Sequence, residues 1–216
     1  MSKFYRQLVL CPQDPHWVLG ANEKGRQGSI GIEQVIRSVG LIADQTVSSQ
    51  AGRFYIGERF LQHINFMGCA PAVEFESNGE LDVNGEPDWQ QFSFIHIPPV
   101  LDQPAWYADL TMAKPQCPAC NKRTALNVNQ AANYFDVDKS YYCCPHCEQQ
   151  TKVGDINWRE FGGNARTLIS IVNVYPKEAT PTENLLVQLE EQTQIAWRYF
   201  YYHGPLINIT IEKLKA

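Results

Sequence analysis

The sequence predicts an α+β fold, in which about three helices accompany a mixed or antiparallel sheet and a small cysteine-rich module is inserted. Apolar residues recur with a helical period in some segments and alternate with a period of two in others. Two Cys-Pro-x-Cys motifs, at 117–120 and 144–147, interrupt these patterns. We therefore expect a discontinuous body at 1–114 and 156–216, and a cysteine module at 115–155.

Length and composition favour a globular protein over a disordered or membrane-spanning one. The chain has 216 residues, a hydrophobic fraction of 44% and a net charge of −5. The negative charge argues mildly against non-specific binding to nucleic acid or acidic membranes. We see neither a signal peptide nor a membrane-spanning stretch, and seven cysteines cannot all pair with one another. We therefore expect a cytoplasmic location, where thiols stay reduced.

The first half of the chain predicts one strand and two helices. Residues 4–10 alternate as a strand, and Ser29 can cap a helix over 30–39 that Gly40 would end. The apolar stripe of that helix is formed by Ile32, Val35, Ile36 and Val39. A second helix is predicted over 58–67, with Phe60, Leu61, Ile64 and Met67 as its stripe and Gly68 at its end. His63 on this helix is interpreted as an ordinary packed or surface residue.

The middle of the body predicts a β-meander. Asn78 and Gly79 form the strongest short hairpin signal, because a type I′ turn needs a positive φ at both central residues. Residues 92–97 alternate as a strand with apolar groups on both faces, and His96 within it is expected at the core or at an edge. The proline-rich stretch at 98–115 is interpreted as a packed connector into the module.

The C-terminal part predicts a strand, a helix and two further strands. Residues 168–174 are rich in β-branched side chains and indicate a buried strand. The Thr-Pro-Thr-Glu sequence at 180–183 matches a capping box with Pro181 at the first helical position. Alternation then predicts strands at 195–202 and 207–211. The helix would bury a face made of Leu185, Leu186 and Leu189.

The two repeated motifs predict a metal site. Two residues between cysteines allow one tight turn to direct both thiolates to one ion, and a second such turn completes a tetrahedral sulfur site that suits zinc. The candidate ligands are Cys117, Cys120, Cys144 and Cys147. The 23 residues between the motifs are long enough for a β-hairpin, with strands at 125–128 and 140–143. Four thiolates leave no open coordination position, so the zinc would be structural.

Cys143 is the competing fourth ligand. Neighbouring side chains in an extended segment point to opposite sides, so Cys143 and Cys144 should not both face the ion. The repeat of the Cys-Pro-x-Cys pattern favours Cys144. His146 lies between two ligands in a tight turn, which makes it a poor substitute for either cysteine.

The double Cys-Pro-x-Cys pattern resembles the zinc ribbon. Each Cys-Pro-x-Cys turn, called a knuckle below, is also similar to the metal-binding turns of rubredoxin. The resemblance covers residues 115–155 and implies a bound zinc ion or, in the second case, iron. In both families, glycine often follows the second cysteine of a knuckle, where a positive φ is easiest. Those positions hold Asn121 and Glu148 here, and the second departs from the pattern because Glu tolerates a positive φ poorly.

The charge of the module indicates which class of partner, nucleic acid or protein, it could bind. Residues 115–155 contain four basic and four acidic side chains, so they carry no electrostatic footprint for nucleic acid. The aromatic side chains that could stack on bases are Tyr134, Phe135, Tyr141 and Tyr142. Such residues also fill the small cores of these modules. We therefore favour core packing and protein contact over nucleic-acid binding.

No catalytic or organic-cofactor residue can be assigned from the sequence. Cys11 precedes Pro12 and Cys69 lies two residues before Pro71; neither has an evident base nearby, and both are interpreted as buried apolar residues. Three hypotheses remain open: a cytosolic structural-zinc protein that acts through protein contacts as a subunit or adaptor, a rubredoxin-like iron redox protein, and an enzyme with its active site in the body and a purely structural zinc.

Overall fold

The computed structural model describes residues 4–20, 30–46, 52–67, 74–75, 87–109, 111–124 and 141–207. The helices in these ranges are α1 (Ile30–Ser38), α2 (Phe60–His63) and α3 (Glu183–Thr193). The strands are β1 (Tyr5–Pro12), β2 (Ile42–Thr46), β3 (Arg53–Ile56), β4 (Ile64–Phe66), β5 (Phe94–His96), β6 (Ala105–Ala108), β7 (Tyr141–Cys143), β8 (Gln150–Lys152), β9 (Gly162–Ala165), β10 (Ile169–Val172), β11 (Ala179–Pro181) and β12 (Trp197–Gly204). Two 3-10 helices lie at Val153–Asp155 and Arg159–Phe161.

The main sheet has six strands in the order β12-β1-β10-β5-β3-β2. Every neighbouring pair in it is antiparallel. Three two-stranded antiparallel sheets accompany it, formed by β4 with β11, β6 with β9, and β7 with β8. The predicted α+β class is therefore confirmed, with antiparallel sheets and few helices. No helix within the described ranges is both long and apolar enough to cross a membrane.

One face of the main sheet packs against α1 and α3. Leu8 and Leu10 of β1 are fully buried in this core, which also takes in Ile36 of α1 and Leu185 of α3. The predicted stripe of α1 is confirmed, because Ile32, Ile36 and Val39 are buried and Val35 packs at the edge of the same core. Gly40 follows with a φ of +76°, as expected at a helix C-terminus. The predicted cap, Ser29, lies outside the described residues.

The predicted second helix over 58–67 is wrong beyond its first turn. The chain is helical only at α2 and then forms β4, which pairs with β11. Leu61 and Met67, placed on the apolar stripe by the prediction, are 63% and 66% exposed. β-branched Ile64 instead enters the core as a strand residue, because tertiary pairing overrides a weak helical pattern. His63 is fully buried, with Nε2 2.7 Å from the carbonyl oxygen of Val39.

The predicted helix cap at 180–183 is wrong by two residues. Thr180 and Pro181 belong to β11, where Thr180 pairs with Asn65. The helix begins two residues later than predicted, at Glu183, and Thr182 Oγ1 accepts a hydrogen bond of 3.2 Å from the N–H of Leu185. Either threonine could cap a helix. Thr180 is held in β11 by its pairing with β4, so Thr182 is the residue that caps α3. The apolar face of α3 is confirmed by the burial of Leu185 and Leu189, with Leu186 packed beside them.

The remaining predicted strands are found with shifted ends. Residues 4–10, 92–97, 168–174 and 195–202 correspond to β1, β5, β10 and β12. His96 is buried within β5, as expected for a core position, and desolvation lowers its pKa to about 3. The predicted connector at 98–115 also contains β6.

Several predictions lie outside the described residues. These are the hairpin turn at Asn78 and Gly79, the end of the second helix at Gly68, the module strand at 125–128, and the last strand beyond Ile207. Ile207 itself is buried against Val9 and Phe200.

Candidate metal centre

The sulfur atoms of Cys117, Cys120, Cys144 and Cys147 all lie within 4.8 Å of one another. The Sγ atoms of Cys117 and Cys147 are 3.7 Å apart, and the same distance separates those of Cys120 and Cys144. Each close pair joins one knuckle to the other, so the two knuckles face each other across a shared centre. Spacings of this size between four sulfurs surround a volume that could hold one metal ion.

The first knuckle is closed by two backbone hydrogen bonds. The N–H of Cys117 donates to the carbonyl of Lys122 over 3.0 Å, and the N–H of Asn121 donates to the carbonyl of Cys117 over 2.9 Å. Asn121 has a φ of +59°, which turns the chain back after the second cysteine. Asn is one of the few residues besides glycine that adopt this conformation readily.

The second knuckle repeats this arrangement residue for residue. The N–H of Cys144 donates to the carbonyl of Gln149 over 3.0 Å, and the N–H of Glu148 donates to the carbonyl of Cys144 over 2.8 Å. Glu148 also has a φ of +59°. Position 148 therefore holds a residue other than glycine, but its backbone adopts the positive φ that glycine would adopt there. A non-glycine residue in this region costs about 1–2 kcal/mol, so the second knuckle carries local strain.

Cys143 and Cys144 point to different sides of the chain. Cys144 is fully buried among the other three sulfurs, whereas Cys143 is exposed and its Sγ lies 3.6 Å from the carbonyl oxygen of Glu148. His146 is exposed and does not belong to the cluster. The structure thus brings together the four predicted cysteines and leaves the two competing residues outside.

The pKa values of the thiols differ across the cluster. The backbone N–H of Cys120 stabilises the Cys117 thiolate and lowers the pKa of Cys117 to about 7, although burial acts in the opposite direction. The N–H of Gln149 favours the thiolate of Cys147, but desolvation and hydrogen bonding with the neighbouring sulfurs raise the pKa of Cys147 to about 12. Four thiolates this close repel one another, and a divalent cation between them would offset that repulsion.

A pair of tryptophans forms the floor beneath the cluster. The ring centroids of Trp106 and Trp158 are 4.9 Å apart, and the indole N–H of Trp158 donates to the carbonyl of Val153 over 2.8 Å. Both rings share one apolar cluster with Cys117 and Cys144. This floor could not be predicted from the sequence, because both tryptophans lie outside 115–155 and nothing local to them indicates a shared contact.

The strand that precedes the second knuckle pairs with the strand that follows it. Tyr141–Cys143 pairs with Gln150–Lys152, so β7 and β8 bracket the turn that carries Cys144 and Cys147. The predicted strand at 140–143 is thus present in part, and its predicted partner at 125–128 lies outside the described residues. Tyr142 points inward beside Cys144, whereas Tyr141 is exposed.

The cysteine in β1 has a different environment from the cluster. Cys11 is fully buried, and burial raises its pKa to about 11 despite the neighbouring Arg198 guanidinium. A thiol of this kind stays protonated and unreactive, in agreement with its interpretation as a buried apolar residue. Cys69 lies outside the described residues.

Fold and cluster together define an α+β protein with a four-cysteine centre that could hold a metal ion. Comparison of the chain with protein-family models, with curated proteins and with solved structures gave no match. The function is therefore inferred from the geometry of this centre.

Proposed function

We propose that this protein binds one structural zinc ion through Cys117, Cys120, Cys144 and Cys147. The observation that carries the proposal is the approach of four sulfurs within 4.8 Å, presented by two knuckles with the same backbone hydrogen bonds. Tetrahedral thiolate sites hold zinc well, and a site closed by four thiolates leaves no position for a substrate or a reactive water.

The proposed role of the ion is to join two chain segments that are distant in sequence. The knuckles contribute ligands from either side of a 23-residue interval, and each pair of close sulfurs crosses between them. Binding to such a site contributes directly to the free energy of folding of the segments that supply the ligands. The tryptophan floor would then connect the ordered knuckles to β6 and the body.

We propose further that the protein acts in the cytosol through protein contacts, as a subunit or adaptor. The balanced charge of residues 115–155 gives no support for nucleic-acid binding. Tyr141 presents an exposed aromatic ring on the outer side of β7, next to the second knuckle. Aromatic residues of this kind are enriched where proteins bind one another.

Metal analysis tests the first part of the proposal. Protein purified without added metal should contain about one zinc per chain and be colourless. Replacement of zinc by Co²⁺ should give the intense visible absorption of a tetrahedral thiolate complex. Iron with thiolate charge-transfer absorption in the freshly isolated protein would overturn the zinc assignment and support a rubredoxin-like redox function.

Quantitative binding tests the second part. A partner should co-purify in stoichiometric amount, bind again when both proteins are pure, and bind more weakly to Tyr141→Ser than to Val187→Ser, a matched exposed residue on α3. A zinc-loaded protein that has no partner, or whose partner is insensitive to Tyr141→Ser, would contradict a contact at the outer side of β7.

A further inference from the structure

A polar cleft lies at one end of the main sheet, away from the four cysteines. It has a volume of about 310 Å³ and is formed where β1 begins, β12 ends and the chain leaves β10. That volume falls at the lower end of the range found for small-molecule sites in proteins. Charged, amide and aromatic side chains line it, and neither the sequence analysis nor the proposed metal centre gives them a role.

Arg6 supplies a positive charge to this cleft. It lies directly opposite His203 in the pairing of β1 with β12, so both side chains project from the same face of the sheet. The Arg6 guanidinium lies 4.5 Å from the ring centroid of Tyr175, a cation–π contact that favours this orientation. Among the residues the structure describes, no carboxylate lies within ion-pairing distance of Arg6.

Glu74 supplies a negative charge to the same cleft. Its backbone is anchored, because its carbonyl accepts a 2.7 Å hydrogen bond from the N–H of Ser93. Its carboxylate has no lysine, arginine or histidine partner within 4.0 Å in the described part of the chain. Within the described residues, the cleft therefore carries one cation and one anion that form no ion pair with each other or with a third side chain.

Exposed aromatic surface completes the lining. Phe4 is 63% exposed and Tyr175 is 43% exposed, although both belong to residue types that usually bury their rings. The ring of Phe4 meets that of His203 edge-on, with centroids 6.0 Å apart. An apolar group of a ligand could rest on these rings while its charged groups face Arg6 and Glu74.

We propose that this cleft binds a free α-amino acid with an apolar or aromatic side chain. Arg6, with His203 beside it, would take the carboxylate, and Glu74 would take the ammonium group. Phe4 and Tyr175 would contact the side chain. A zwitterion suits a cleft that is lined by both a cation and an anion, whereas a simple anion would be repelled by Glu74 and a simple cation by Arg6. This proposal is independent of the metal centre.

Calorimetric titration of the purified protein with three compounds tests the proposal. L-Phenylalanine is the probe, 3-phenylpropionate lacks its ammonium group, and 2-phenylethylamine lacks its carboxylate. We expect L-phenylalanine to bind with a dissociation constant in the millimolar range or below. Each analogue should bind about tenfold more weakly or worse, because it loses one charge-assisted contact and meets one uncompensated charge.

Two variants assign the charges to the two ends of the ligand. Arg6→Gln should weaken L-phenylalanine about tenfold or more and leave 2-phenylethylamine unchanged or tighter. Glu74→Gln should weaken L-phenylalanine similarly and leave 3-phenylpropionate unchanged or tighter. The matched controls are Arg159→Gln and Glu191→Gln, which change exposed residues outside the cleft. Both controls should bind L-phenylalanine as the parent protein does.

Three results would overturn the proposal. They are the absence of binding by L-phenylalanine and L-leucine at 10 mM to folded parent protein, equal binding of the three compounds, and equal effects of cleft and control variants. Circular dichroism and zinc content of each variant show whether it is folded. Neither the presence nor the absence of zinc changes the reading of these titrations.

Discussion

Beneath the main sheet, twenty buried residues of the described chain form one core, whereas the apolar cluster at the cysteine centre contains nine. Of those nine, only Cys117, Tyr142, Cys144 and Val153 lie within 115–155, and two of these four are proposed ligands. We therefore expect the body to be stabilised mainly by apolar burial, and residues 115–155 to depend in addition on the proposed metal ion. The proposal thus assigns two sources of stability to one chain, apolar burial in the body and metal binding in the module.

Chelation should give the largest contrast between the two regions. Removal of zinc at neutral pH should sharply increase amide exchange between Pro115 and Asp155, because the module loses its ligand bonds. Exchange in β10 and α3 should change little. Hydrogen-exchange mass spectrometry with and without re-added zinc measures both. Equal loss of protection in both regions would show that the module and the main core unfold together.

Single substitutions of two neighbouring cysteines, Cys143 at the end of β7 and Cys144 directly after it, should have different effects on zinc binding. Cys144→Ser should weaken zinc binding by about 100-fold or more, because it removes a buried ligand at the centre. Cys143→Ser should leave zinc affinity nearly unchanged, since its sulfur faces the carbonyl of Glu148. Competition with a chromophoric chelator measures both affinities. Loss of zinc from Cys143→Ser but not from Cys144→Ser would show that the ligand register is wrong by one residue.

A core truncation should affect the body whether or not zinc is bound. Leu185→Ala removes a fully buried side chain of α3 and should lower the free energy of unfolding by about 2–5 kcal/mol. Val187→Ala, on the exposed side of the same helix, should change it by less than about 0.5 kcal/mol. Denaturant titrations with zinc and with chelator supply the measurement. A zinc-dependent effect of Leu185→Ala would contradict the separate stabilisation of the body.

The helix cap provides a smaller effect within the body. Thr182→Ala should destabilise the protein by about 1 kcal/mol, because the N–H of Leu185 loses its hydrogen-bond acceptor. Thr180→Ala is the control, since Thr180 lies in β11 and does not cap the helix. Thermal unfolding of both variants compares them. A larger decrease in stability for Thr180→Ala than for Thr182→Ala would favour Thr180, the cap position expected from sequence alone.

The smallest effect is expected in the second knuckle. Glu148→Gly should relieve its positive φ and tighten zinc binding by about 1 kcal/mol or less, because the entropy lost by glycine offsets part of the gain. Asn121→Gly should increase zinc affinity by less, since Asn already tolerates this conformation. The same chelator competition measures both. A weaker affinity of Glu148→Gly would indicate that the Glu148 side chain makes a contribution larger than its strain.

The sequence predicted those features that depend on local chemistry. The helix stripe of α1 and the four clustered cysteines follow from periodicity and motif spacing. The second helix and the cap of α3 were mispredicted for one shared reason, the pairing of β4 with β11. Residues 64–66 and 179–181 are more than a hundred positions apart, so no local pattern can reveal that they meet. The tryptophan floor escaped prediction in the same way, because Trp106 and Trp158 approach only in three dimensions.

The pairing of β6 with β9 has a consequence for how this chain tolerates changes in length. Ala108 lies directly opposite Gly162, so the two ends of the intervening segment lie close together. An inserted segment whose ends already meet adds little closure entropy as it grows, since that cost rises only logarithmically with length. We therefore expect insertions and deletions between these two strands, away from Trp158 and the four cysteines, to cost little closure entropy.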